Sequence, residues 1–212
     1  MIRALLDWLN SPALLLLATP LSIAECLGFA TGIACVWLAA RNNIWNFPLG
    51  IANSALLLLL FFHARLFADA GLQVMFIALN LRGWWQWARH GTGAVLAVTS
   101  ASDSQLRIAL IGSLVSTLAL AALLTLAKGS VPVFDASITA LSLVAQWLLN
   151  RRVLQNWWWW MAVDVISIPV YIYKGLYLIA LLYAVFLVLC ISGYRSWRSA
   201  LSSDSSAKAV PA

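Results

Sequence analysis

The stretch Asn156-Trp-Trp-Trp-Trp-Met-Ala-Val-Asp-Val-Ile-Ser-Ile-Pro-Val-Tyr-Ile-Tyr-Lys174 decides how this chain can fold. A helix that crosses a bilayer needs roughly 20 mostly apolar residues, and this run is long enough. Four tryptophans crowd its start and a lysine closes its end. The tryptophans suit an interfacial belt, and any that face inward can wall a pocket. Asp164 sits near the middle. An ionised carboxylate at bilayer depth costs about 3 kcal/mol on insertion scales, so Asp164 must face a bundle interior or a water-filled cavity. There it serves either as a hydrogen-bond partner for a neighbouring helix or as part of a functional site.

The composition around this stretch is of the same kind. The chain has 212 residues, of which 63% are hydrophobic and 9% charged, and its mean hydropathy is +0.91. Soluble domains are about 25% charged, so this is an integral membrane protein. The formal net charge is +6, but no Lys/Arg run of the kind nucleic acid requires is present. Cys26, Cys35 and Cys190 are odd in number, lack metal-ligand spacing and read as small packing residues. His63 and His90 are isolated. No catalytic constellation or phosphate loop is visible, so neither an enzyme nor a resident cofactor or metal is expected.

Seven spans are predicted, at about residues 20–40, 46–62, 69–87, 105–127, 131–150, 156–174 and 176–197. A run at 13–18, bracketed by Pro12 and Pro20, is too short to span and reads as part of an interfacial helix. Residues 91–103 are rich in Gly, Ala, Ser and Thr and read as a loop. The tail after Arg198 reads as disordered. Seven spans put the termini on opposite sides. Arg41, Arg82, Arg89, Arg107, Arg151, Arg152, Arg195, Arg198 and Lys208 fall on the C-terminal side; Arg3, Arg65, Lys128 and Lys174 fall on the other. The positive-inside rule then places the C-terminus in the cytoplasm and the N-terminus outside.

The sequence also repeats. A shift of 110 residues sets Glu25 on Asp135, Trp37 on Trp147, Arg41 on Arg151, Asn46 on Asn156, Ser54 on Asp164, Gly83 on Gly193 and Trp87 on Trp197. Apolar matches arise by chance in such a chain; the Glu/Asp, Trp/Trp, Arg/Arg, Asn/Asn and glycine matches arise by chance far less often. Spans one to three therefore recur as spans five to seven, and the fourth is a linker that restores their direction. The expected fold is all-α: seven transmembrane helices in two parallel three-helix bundles joined by a linker helix. The expected divisions are an interfacial segment at 1–19, the first repeat at 20–87, loop and linker at 88–129, the second repeat at 130–197 and the tail at 198–212. Transporters are commonly built from such repeats, with the substrate at the midplane between them. A non-transporting receptor or assembly subunit is the competing class; a membrane enzyme ranks last.

The residues also carry a family resemblance. Asn43-Ile-Trp-Asn-Phe-Pro-Leu-Gly50, Gly71-Leu-Gln73, Gly83-Trp-Trp-Gln-Trp87, Asn156-Trp-x-x-Trp160 with Asp164, Tyr171-x-x-Lys174-Gly-Leu-Tyr177 and Gly193-Tyr-x-x-Trp197 are similar to signatures of the PnuC vitamin transporters. The three-one-three plan resembles the SWEET sugar transporters. The likeness covers about residues 20–198. It implies a multi-pass protein of the bacterial inner membrane that takes up a B-vitamin precursor, most often nicotinamide riboside, down its gradient. A cytoplasmic kinase then traps the cargo by phosphorylation. Related members carry thiamine or riboflavin. Phe61 and Phe67 stand where tyrosines are frequent in the family.

A pocket for a flat heterocycle on a ribose needs aromatic walls and a few polar groups. Trp37, Trp147, Trp157 and Trp160 are the candidate walls. Asn53, Gln73, Asn80, Gln146, Asp164 and Tyr183 are the candidate polar groups. Glu25 and Asp135 lie nearer the outer face, which favours capping or gating over ligand binding. Pro48 and Gly50 open the second helix and Pro169 interrupts the sixth, so all three are candidate hinges. The partners expected are a small-molecule vitamin and the lipid bilayer, with no nucleic acid. A second copy of the chain is a further candidate.

Overall fold

Two capping boxes start helices that the hydropathy alone places only roughly. Ser22 Oγ accepts from the Glu25 amide at 3.2 Å, while Glu25 Oε2 accepts from the Ser22 amide at 2.9 Å. This starts α1 at Ile23–Ala40. Ser102 and Gln105 repeat the device at the head of α4, Asp103–Leu126. Between them lie α2 (Asn46–His63) and α3 (Phe67–Arg89). After them come α5 (Pro132–Asn150), α6 (Asn156–Tyr173) and α7 (Tyr177–Lys208). The computed structural model describes residues 8–9, 11–16, 19–63, 67–89, 97–127 and 131–208.

The 110-residue repeat carries into backbone geometry. α2 and α6 begin and end at residues 110 apart. Both preceding turns place a non-glycine residue in the left-handed region, Asn42 at φ 55° and Arg152 at φ 53°. Both are Schellman closures: Asn43 and Val153 donate five residues back to the Leu38 and Leu148 carbonyls, at 2.9 and 3.1 Å. Asn46 and Asn156, both buried, then cap the turn from inside, donating to the Asn43 and Val153 carbonyls at 2.6 and 2.8 Å. Asn tolerates the left-handed conformation better than Arg does. Arg152 is held there by burial under Trp87, its guanidinium 3.9 Å from the ring. That burial pulls its pKa down to about 10.

The helices pack in a closed ring: α1 on α2, α2 on α3, α3 on α5, α5 on α6, α6 on α7, and α7 back on α1. α4 stands outside, against α5. Exchanging α1–α2–α3 for α5–α6–α7 carries the ring onto itself without reversing its circular sense. An axis in the membrane plane reverses that sense; an axis along the membrane normal preserves it. The bundles are therefore parallel repeats about the normal.

At the end of the ring rich in arginine, the two bundles are stitched reciprocally. Trp87 of α3 donates to the Asn150 carbonyl that ends α5, at 3.1 Å. Trp197 of α7 donates to the Ala39 carbonyl near the end of α1, at 3.0 Å. Phe47 meets Trp87 edge-on at 4.9 Å, and Trp157 meets Trp197 edge-on at 5.5 Å. Each such pair contributes about 0.5–1.5 kcal/mol beyond the area it buries.

The two ends of the chain differ from expectation. Residues 12–16 are not helical: β1 (Pro12–Leu16) pairs antiparallel with β2 (Thr19–Ser22). Proline disfavours the helical region in the residue before it, here Ser11 and Thr19. In a two-stranded sheet, where every strand is an edge, the missing proline N–H is tolerated. Past Arg198 the chain continues α7, which runs on to Lys208. Ser202 and Ser203 satisfy themselves on the carbonyls of Arg198 and Ser199, at 2.9 and 3.0 Å. Finally, among the described residues, α1, α2, α4, α5 and α7 are apolar enough to span by composition alone. α3 and α6 are the two that carry the most telling polar groups.

Candidate functional site

α6 presents Asp164, Ser167 and Tyr171 at spacings of three and four, which is one helical face. α7 presents Tyr183, Phe186 and Cys190 with the same spacing. The faces meet. Tyr171 stacks on Tyr183 at 5.2 Å and 26°, and Phe186 meets Tyr183 edge-on at 5.7 Å. The Cys190 thiol lies beside Asp164, and the Tyr183 hydroxyl lies by Tyr171 and Ser167. α1 comes close enough that a Cβ on Gly32 would stand 3.2 Å from Phe186. Asp164 is 2% exposed and Ser167 0%, yet Asp164 Oδ2 and Ser167 Oγ have no hydrogen-bond partner. Buried polar atoms are satisfied in the great majority of cases, so two orphans on one mid-span face point to a ligand site.

The repeat sets Ser54, Gln73, Phe76 and Asn80 where Asp164, Tyr183, Phe186 and Cys190 stand. Ser54, Gln73 and Asn80 are buried. The frame is two-fold, but the chemistry is not: carboxylate and phenol on one side, hydroxyl and amides on the other.

Of the residues expected to bind, Asp164 and Tyr183 come together. Asn80 and Gln146 meet in a different place, the α3–α5 seam. There Gln146 Nε2 donates to Asn80 Oδ1 at 3.4 Å and to Asn150 Oδ1 at 3.1 Å. Gln73 is buried on α3. Asn53 ties α2 to α1, donating to the Gly28 carbonyl at 3.0 Å and Thr31 Oγ1 at 2.7 Å. Trp157 and Trp147 have packing duties. Trp157 is a core residue packed between Trp197 and Gly193. Trp147 lies under the Arg151 guanidinium at 4.3 Å and packs toward α4 with Trp160.

The hinge and gate candidates have structural duties. Glu25 closes the first capping box. Pro48 sits in the first turn of α2, where its missing N–H costs nothing. Gly50 admits Asn80, whose Oδ1 would lie 2.9 Å from an added Cβ. Asp135 is paired with Lys174 at 2.9 and 3.1 Å, joining the ends of α5 and α6. Pro169 lies inside α6, beyond Ser167. The reading from sequence missed Tyr171, Phe186 and Cys190 as site-lining residues. Their signal was the shared spacing of three and four on α6 and α7.

Among the described residues no cluster of His, Cys, Asp or Glu could hold a metal. Residues 22–199 match the family described as nicotinamide mononucleotide transporter. The chain belongs to that family. It is accordingly a multi-pass membrane transporter and not an enzyme. Within the family's reach, it is 27% identical over 204 residues to the nicotinamide riboside transporter PnuC of Escherichia coli K12, covering 84% of this chain and 85% of that one. It is 28% identical over 198 residues to the riboflavin/roseoflavin transporter RibM of Streptomyces davaonensis, covering 91% and 92%. A crystal structure of the vitamin B3 transporter PnuC shares its fold, with a TM-score of 0.69 and 22% identity over 85% of this chain and 82% of that one.

Proposed function

We propose that this chain carries nicotinamide riboside by facilitated diffusion through a site centred on Asp164. The observation that supports this most is the mid-span face of α6, where Asp164 and Ser167 hold unpartnered oxygens beside the Tyr171–Tyr183 stack. A ribose supplies hydroxyls to such oxygens. A pyridinium ring is flat and cationic, and suits aromatic faces next to a carboxylate; a desolvated cation–π contact is worth about 2 kcal/mol. Ser54 and Gln73 are the first bundle's candidate contributors.

The reading extends to its setting. The protein lies in a bacterial inner membrane with its C-terminus in the cytoplasm, and a cytoplasmic kinase traps the cargo by phosphorylation. Riboflavin is the second reading, favoured by the likeness to the Streptomyces transporter. The test is uptake of labelled nicotinamide riboside, riboflavin and thiamine into proteoliposomes holding the purified chain. Saturable uptake of the riboside alone is expected. Saturable riboflavin uptake without riboside uptake selects the second reading, and no saturable uptake of any removes both.

A further inference from the structure

The ring closes twice between bundles, and the closures differ. At the α3–α5 seam Asn150 and Gln146 fill the gap with amides, and Asn150 Nδ2 also donates to the Leu79 carbonyl at 2.8 Å. At the α1–α7 seam the repeat sets Ala40 where Asn150 stands, Ser192 where Arg82 stands, and Ser196 where Gln86 stands. Small residues there leave a hollow of about 430 Å³, lined by Trp37, Ala40, Arg41, Leu189, Ser192 and Ser196.

The lining has a definite chemistry. The Arg41 guanidinium lies 4.6 Å over the Trp37 ring, and no carboxylate among the described residues pairs with it. Ser113, Thr125, Ser137 and Ser203 each donate to the carbonyl four residues back. Ser192 and Ser196, one turn apart on α7, make no such bond among the described residues, so both hydroxyls are available. Three of the last four carbonyls of α1 are already engaged and do not face an anion bare. Those of Trp37, Leu38 and Ala39 already accept from Arg41, Asn43, Asn42 and Trp197.

We propose that this hollow binds a phosphomonoester, with its phosphate held by Arg41 and the hydroxyls of Ser192 and Ser196. A planar guanidinium matches phosphate oxygens in a two-point contact, and its charge-assisted bonds are the strong ones. The phosphate belongs either to an anionic lipid headgroup or to a soluble metabolite, and in both cases it bridges α1 to α7.

The experiment uses the full chain in phosphatidylcholine nanodiscs titrated with glycerol 3-phosphate, and in nanodiscs containing phosphatidic acid. The thermal unfolding midpoint is read in each. A rise in either arm, or in both, is expected and identifies the source. Arg41→Gln should weaken the response about tenfold or more, on the scale of a lost charged hydrogen bond. Arg151→Gln, at the matching turn of the other repeat, should leave it intact. Should Arg41→Gln not fold, the double change Ser192→Ala/Ser196→Ala is expected to weaken binding about threefold or more. No rise with either probe, equal loss in Arg41→Gln and Arg151→Gln, or an unaltered response in the serine double variant overturns the proposal.

Discussion

At the scale of the residue, Asp164 carries a cost that its own fold does not offset. Its carboxylate lies at the middle of α6, with the Cys190 thiol on it and Oδ2 without a partner. Leucine in its place removes a buried group that lacks full hydrogen bonding. The outcome expected for Asp164→Leu is an unfolding midpoint equal to or above the wild type's, with riboside uptake reduced by about tenfold or more, the scale of a charged hydrogen bond. Asp164→Asn keeps the shape and should fall between. Normal uptake by well-folded Asp164→Leu makes the residue a packing partner only. Ser167→Ala should behave in the same direction, keeping its stability while its half-saturation concentration rises about threefold. Asp164 was legible in the sequence because a carboxylate in an apolar span stands out. Tyr171, Phe186 and Cys190 were not, because aromatics and thiols look like ordinary packing in a chain that is 63% hydrophobic.

At the scale of the element, two glycines set how closely the helices approach. A Cβ on Gly83 would collide with Phe47 and Asn150, and one on Gly193 would collide with the Trp157 ring. These are matching positions in the two repeats, and each meets the second residue of α2 or α6. Overpacking of this kind costs about 1–3 kcal/mol. Gly112 of α4 has nothing within 4 Å of its added Cβ. Gly83→Ala and Gly193→Ala should therefore lower the unfolding midpoint, while Gly112→Ala should hold or raise it through helix propensity. If all three change the midpoint alike, close approach is not what these glycines provide. The helix pattern was legible because the repeat duplicates both composition and spacing, down to the turn that holds Asn42 and Arg152. The quadruple tryptophan run was less legible. A belt and a core use the same residue, and Trp158 is exposed while Trp157 and Trp159 are buried. The N-terminal hairpin was not legible either, since a short apolar run fits a helix or a strand by period alone.

At the scale of the whole molecule, the distribution of charge underlies both the proposed orientation and the proposed choice of cargo. Nine of the thirteen basic residues fall on the side of the C-terminus. A fluorescent protein fused there should fluoresce in intact cells, as a cytoplasmic fusion does, and a periplasmic readout at that end reverses the assignment. The same distribution leaves the middle of the ring without a cation. Among the described residues, Arg82 is exposed near the end of α3 and Lys174 caps α6, where Asp135 already pairs with it. A phosphate brings one to two negative charges, and burying them without a cationic partner costs several kcal/mol. An ionised Asp164 adds repulsion to that cost. A cationic pyridinium meets the opposite situation, with aromatic faces and a carboxylate on α6 and α7. The riboside should therefore pass and its mononucleotide should not. That asymmetry is sufficient for net accumulation without ion coupling, because a cargo phosphorylated inside cannot return by the same route. The measurement is competition against labelled riboside in proteoliposomes free of phosphatase. Unlabelled riboside should compete, and the mononucleotide should be weaker by about a hundredfold or more, on the scale of an uncompensated buried charge. Equal potency of the two would mean that the mid-membrane site tolerates a phosphate, and the trapping that depends on its exclusion would fail with it.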